Sequence, residues 1–195
     1  LNLQLGDGTA NARVWDGNSD GDGDGSSWND AANWVGNILP DGDDIAQLTG
    51  LDQGDVNVAG TQTIGRIEFT SGDYNLTGGT IETNSIVHSA GNNTIASAIK
   101  STGLIGTISG GELKVTNAGN AASLVGGNWT VGAGATLAGT IADTLGPNVQ
   151  LNGGTVRIDG QATLISGLTE TVYNGNDIDN PTAGTIAAGP TLQSG

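Results

Sequence analysis

The stretch Asp16-Gly17-Asn18-Ser19-Asp20-Gly21-Asp22-Gly23-Asp24-Gly25 puts an oxygen-bearing side chain at every second position, with glycine at most positions between. Glycine lets a chain curve tightly, so Asp16, Asn18, Asp20, Asp22 and Asp24 are candidate ligands for one hard cation. Oxygen-only donors are what calcium prefers. The spacing departs from an EF-hand loop: counted from Asp20, the twelfth position is Ala31 where a bidentate Glu is expected, and Asp30 falls one residue early. Two readings therefore stand side by side, a Ca2+ site and a solvated acidic loop. Asp41, Asp43 and Asp44 would add ligands if the chain folded back.

Three of the four tryptophans, Trp15, Trp28 and Trp34, flank that loop. Flat indole faces suit pyranose rings, which makes them candidate carbohydrate-binding residues. Alternatively they form the core of a cap that plugs an open end of a repeat structure. His88 is the sole histidine and cysteine is absent, so a zinc site or a histidine- or cysteine-based triad lacks parts. Glu68, Glu82, Glu112 and Glu170 could include a glycosidase pair, but carboxylates on the wet face of strands are the simpler reading. No catalytic residue is expected.

Twenty acidic residues against five basic ones give a formal charge of −15. Arg13, Arg66, Lys100, Lys114 and Arg157 are scattered, which leaves no basic track for a phosphate backbone and disfavours anionic membrane surfaces. No apolar run reaches spanning length, so membrane insertion is not expected either. The chain opens on Leu1-Asn2-Leu3-Gln4-Leu5, without initiator Met or signal peptide, and reads as a mature or excised piece of something longer.

The elements that would position these groups are strands. Aromatics are only 4% of residues and Met is absent, so the interior must be built from Ile, Leu, Val, Ala and Thr in narrow layers. One phrase, apolar-x-Gly-Gly-x-apolar, occurs four times: at Leu76 to Ile81, Ile108 to Leu113, Leu124 to Trp129 and Leu151 to Val156. Apolar residues alternate with polar ones around each copy, as in half-buried strands, and the glycines suit corners. Short β runs are expected over 45–48, 56–58, 63–69, 74–76, 80–87, 94–99, 104–108, 112–116, 128–131, 136–141, 149–151, 155–158 and 169–173. Between 29 and 34 there is room for one helical turn, capped by Asn29 or Asp30. If the glycine pairs closed hairpins the fold would be a β-sandwich or jelly roll; if they were corners of stacked coils it would be a parallel β-helix. Their separations of 32, 16 and 27 residues are uneven, and a core nearly free of large aromatics favours the solenoid. The expected organisation is a terminal strand and Trp-, Asp- and Gly-rich cap over 1–44, a β-helix over 45–175, and a polar tail or linking strand over 176–195.

The segment Val14-Trp15-Asp16-Gly17, followed by Trp28-Asn29-Asp30-Ala31-Ala32-Asn33-Trp34, then Pro40 and Asp43-Asp44-Ile45-Ala46, resembles the opening of large secreted bacterial proteins with autotransporter-associated β-strand repeats. The later Leu-x-Gly-Gly-Thr-Ile phrases are similar to those repeats. The resemblance implies a right-handed β-helix outside the cell, in adhesive or structural proteins. On this reading the chain is an extracellular or cell-surface element with no enzymatic activity. Self-association through its ends or edge strands, where Leu1, Leu3 and Leu5 alternate like an edge strand, would build a surface filament. The rival reading is a carbohydrate-binding module or an accessory domain of a polysaccharide-processing enzyme, which would show exposed aromatics along a groove.

Overall fold

The computed structural model of the chain describes residues 10–117, 127–139, 149–158 and 185–188. Fifteen strands run through these residues: β1 (Ala12–Trp15), β2 (Ile45–Thr49), β3 (Gly54–Thr63), β4 (Arg66–Ser71), β5 (Tyr74–Glu82), β6 (Ser85–His88), β7 (Asn92–Ile95), β8 (Ala98–Lys100), β9 (Ile105–Ile108), β10 (Gly111–Val115), β11 (Asn128–Gly132), β12 (Ala135–Gly139), β13 (Val149–Asn152), β14 (Thr155–Ile158) and β15 (Thr185–Ala188). The expected strands over 1–5 and 169–173 lie outside the described residues.

Between β2 and β14 successive strands do not pair with each other, while β1 pairs with β2 and β14 with β15. The strands fall into two sheets, β1-β2-β4-β6-β9-β11-β13 and β3-β5-β7-β10-β12-β14-β15, with β8 beside the second half of β5, and from β2 to β7 and from β9 to β14 the chain alternates between them. Every strand-to-strand register is parallel. The molecule is thus a β-solenoid of stacked coils, all-β and without an α-helix among the described residues, and the sandwich alternative falls because it requires antiparallel neighbours. Thr80 lies beside Ala98 and Gly111 beside Ala135, so one coil takes 18 to 24 residues between β2 and β14.

Alternation within strands sets the core. In the first sheet Ala46, Ile67, Ile86, Trp129 and Val149 form one inward stack, and Leu48, Phe69, His88, Ile108, Val131 and Leu151 form another. Gly106 occupies the first stack between Ile86 and Trp129. A Cβ there would collide with the Trp129 indole, so the ring fills the space that a side chain at this level would otherwise take.

The four Gly-Gly phrases are not equivalent corners, contrary to the sequence expectation. Gly110-Gly111 and Gly153-Gly154 join the first sheet to the second, Gly78-Gly79 bend β5 within the second sheet, and Gly127 leads into β11 of the first. None joins two strands that pair with each other. The apolar residues after them do point inward as expected: Ile81, Leu113, Trp129 and Val156 are all buried. What repeats at the sheet-to-sheet corner is a single glycine with positive φ, at Gly50, Gly72, Gly91, Gly111, Gly134 and Gly153. At Gly91 the demand is also steric, since a Cβ would strike the carbonyl oxygen of Gly72 in the preceding coil.

The opposite corners use other chemistry. The expected single strand over 63–69 breaks at Ile64-Gly65, where Gly65 N donates to Asp44 O at 3.0 Å. That over 80–87 breaks at buried Thr83, whose hydroxyl donates to the carbonyl of Gly65 and accepts from Ser85 N. The run over 94–99 likewise divides, into β7 and β8. A hydroxyl that satisfies backbone groups turns the chain as a glycine does, but leaves an unbroken β-like sequence.

Candidate functional site

The end of the solenoid that carries β1 is closed by residues 10–44. Trp15, Trp28 and Trp34 are fully buried. Trp34 stands edge-on to both others, with centroids 5.2 Å from Trp15 and 4.9 Å from Trp28. Trp34 Nε1 donates to Trp28 O and Trp15 Nε1 to Asp52 O. A sugar-stacking platform needs exposed ring faces, and these rings present none, so the tryptophans serve as the plug and not as a carbohydrate surface. The turn expected over 29–34 is the 3-10 turn Ala31–Asn33, with Asp30 accepting from Ala32 N as N-cap.

The acidic loop wraps around this plug, and its organiser is Asn33, a residue the sequence analysis passed over. Completely buried, it accepts from Gly25 N through Oδ1 and donates from Nδ2 to Asp24 Oδ1 and to Ser27 O. Its own carbonyl receives the N–H groups of Asp16 and Gly17. Asp24 Oδ1 accepts additionally from Ser26 N and Ser27 N at 2.8 and 2.7 Å. The Asn33 amide and these N–H groups hold the Asp24 carboxyl at a pKa of about 2. Asp24, one of the five expected ligands, is therefore a fixed hydrogen-bond hub of the loop.

The other four differ in surroundings. Asn18, Asp20 and Asp22 are exposed, and Asp20 accepts from Asp22 N. Asp16 is only 5% exposed and its Oδ1 has no hydrogen-bond partner. Burial, reinforced by the charges of Asp20, Asp22 and Asp52, pushes its carboxyl above the usual range. Asp52 belongs to the turn after β2, was not anticipated, and accepts from Asn18 N; its carboxylate lies against Gly17 and Gly25, where any Cβ would collide with it. Among the described residues no group of three or more acidic or histidine side chains comes together in a way that could hold a metal ion.

Of the residues expected to reinforce the loop, Asp44 is committed elsewhere. Buried, it accepts from Arg13 Nε at 2.9 Å and fastens β1 to the start of β2. Arg13 and its hydrogen bonds hold its carboxyl below the usual range despite the opposing effect of burial, which is the largest influence on it. Asp41 and Asp43 are exposed.

Elsewhere the candidate chemical groups are tied to one another. Glu68 accepts from Gln47, Glu82 pairs with Lys100, and Glu112 pairs with Arg157 across two coils. Glu170 lies outside the described residues. A cavity of about 360 Å³ opens where the second sheet turns back to the first, lined by Asp43, Thr63, Glu82, Asn84, Lys100 and Thr102 among others. Its polar groups bond within the wall: Thr63 Oγ1 donates to Glu82, Ser101 Oγ to Asn84. His88 is wholly interior, with Nδ1 2.8 Å from Gly110 O and Nε2 3.0 Å from Asn93 Nδ2. The asparagine can only donate to Nε2, so the imidazole carries its proton on Nδ1 and gives it to Gly110 O. No described helix is long and apolar enough to cross a membrane.

No family model matches this chain, and neither a curated protein nor a solved structure matches it.

Proposed function

We propose that the chain is an extracellular structural or adhesive element, a rigid solenoid of the kind found in secreted proteins with autotransporter-associated β-strand repeats. The observation that carries this reading is the construction itself: parallel coils continued from β2 to β15, closed at one end by a tryptophan plug. Such an object has length, stiffness and repetitive lateral faces, which suit spacing or surface display. The net charge of −15 keeps such surfaces soluble and apart at low divalent concentration. The carbohydrate-module reading loses its main support with the burial of the three tryptophans.

In the filament form of this proposal, copies join through their ends. The described residues of the cap cover the plugged end, so joining through described surfaces uses the opposite end or the lateral faces, while the edge-strand candidate Leu1 to Leu5 lies outside the described residues. The experiment is protease shaving and immunogold labelling of intact source cells, with negative-stain microscopy of the purified native protein. Surface label and rod-shaped particles are expected; an exclusively internal location rejects the reading.

A further inference from the structure

We propose that the groove where the second sheet turns back to the first binds a neutral, linear polysaccharide laid along the solenoid axis. The groove is built by repetition: four successive passes of the chain line it, at 42–43, 63–65, 82–84 and 100–102, around a volume of about 360 Å³. Neighbouring coils lie about 4.8 Å apart, so the three steps between four passes cover about 14 Å of the axis. That is a trough for a few units of an extended polymer, not a pit for a compact ligand. Two rails of fixed polar groups run along it. On one, Glu82 accepts from Thr63 Oγ1 at 3.2 Å and from Lys100 Nζ at 2.6 Å. On the other, Asn84 Oδ1 accepts from Ser101 Oγ at 2.7 Å, and Ser101 Oγ in turn accepts from Gly103 N. Thr102 N faces the same Asn84 atom, and a backbone N–H can only donate. That atom is therefore the oxygen, and Asn84 Nδ2 keeps both protons unused among the described residues.

The spare valences define the ligand. Asn84 Nδ2 and Lys100 Nζ have protons to give, Asp43 and Glu82 have carboxylate lone pairs to receive them, and the Thr102 hydroxyl does either. A sugar hydroxyl is both donor and acceptor, so a row of them matches a wall on which the two roles are interspersed. Rival ligands find no such counterpart. Two carboxylates against one ammonium, in a chain of net charge −15, repel an acidic polymer. Among the described lining residues only Ile64 is a large apolar side chain, and it is buried, so a lipid or a nucleobase has nothing to lie on. An extended peptide needs a free strand edge. Here the backbone is bonded from coil to coil, with Gly65 N donating to Asp44 O, Ile64 N to Glu82 O and Thr83 N to Lys100 O. The ligand class is thus the one for which Trp15, Trp28 and Trp34 were candidates, at a different place and held by hydrogen bonds instead of ring stacking. The inference concerns this groove alone and does not rest on the extracellular reading.

The test is affinity electrophoresis of the full chain through gels containing xylan, mixed-linkage β-glucan, galactomannan or dextran, with polygalacturonate as the acidic control. Isothermal titration with oligosaccharides of the retarding polymer follows. Expected are retardation by at least one neutral polymer and none by polygalacturonate, and binding that survives molar salt. Affinity should rise with oligosaccharide length up to about three or four units, where the trough is filled. N84D keeps the oxygen that Ser101 and Thr102 bond but removes the spare amide protons, so it should weaken binding about tenfold at an unchanged melting temperature. K100M keeps the alkyl stem and should weaken binding as well, whereas T94A, on the outer face of β7, should not. Retardation by none of the neutral polymers overturns the proposal, as does parental affinity in N84D or binding abolished by molar salt. Should N84D fail to fold, parental affinity in K100M overturns it alone.

Discussion

Asn33 and Asp24 show how a glycine-rich acidic loop acquires one conformation. The Asn33 side chain makes three hydrogen bonds from a fully buried position, and truncation would strand Gly25 N and remove one of the two donors to Ser27 O. N33A is expected to cost about 2–4 kcal/mol in urea unfolding, because buried groups left unsatisfied lose their full desolvation energy. Asp24 and Asp16 titrate with opposite consequences. The Asp24 carboxyl has its pKa depressed, so its contribution is present above the unfolded value of 3.8 and disappears as pH falls toward about 2. Asp16 has its pKa raised, so its penalty develops as pH rises above 3.8. D24N should therefore flatten the acid limb of the stability curve, and D16N should raise stability at neutral pH relative to acid. His88 adds a third signature. Burial lowers its pKa, so its share of stability is complete above 6.5 and is lost as pH drops below that value toward the folded pKa. H88L should melt lower at neutral pH, by removing the donor to Gly110 O and one acceptor from the Asn93 amide, yet show a smaller decline between neutral and mildly acidic pH than the parent does.

At the scale of the coil, packing is corrected from one level to the next. Gly106 stands where Ile86 stands in the preceding coil and Val149 in the one after Trp129, and the Trp129 ring lies over it. G106A is expected to destabilise by about 1–3 kcal/mol through overpacking. In a double-mutant cycle W129V should recover part of that loss, whereas independent effects would simply add. The same level-by-level view explains what the sequence disclosed. Alternation at Ile67 and Phe69, or Leu113 and Val115, marks the inward face without ambiguity, and the all-β solenoid followed from it. The coil length did not, because 35 glycines hide the six that recur at one corner, and doubled glycines draw the eye to positions that are not equivalent. Corners made by Thr83 look like strand because threonine is a strand residue. Of the candidate site, Asp16 was legible from spacing within the loop, but Asp52 was not, since its approach depends on how the turn after β2 folds over Gly17 and Gly25.

For the whole molecule the decisive question is how a solenoid stops. A first coil exposes two strand edges and the top of its core, and each is an invitation to pair with another chain. Here both edges are covered by the cap. The outer edge of β1 receives Val35 N at Val14 O, in an antiparallel bridge between Trp15 and Trp34. The outer edge of β3 is met by Ser26 to Trp28, with Trp28 N donating to Asn57 O and Asn57 N to Ser26 O, while Asn29 Oδ1 accepts from Ala59 N. The three indoles fill the top of the core beneath them. Trp34 is the keystone, because it touches both other rings and supplies part of the β1 cover. W34A should cost about 3–5 kcal/mol locally, enough to open the cap while the later coils, which share no contact with it, stay folded. The uncovered β1 and β3 would then act as templates for strand addition, most simply by another copy's coils. The expected outcome is a variant that keeps its β-sheet circular dichroism but forms concentration-dependent oligomers in light scattering, with thioflavin binding that the parent lacks. A W34A protein that stays monomeric with its sheet signal intact would mean that the cap fills the core without guarding the edges, and that charge repulsion alone keeps the molecules apart.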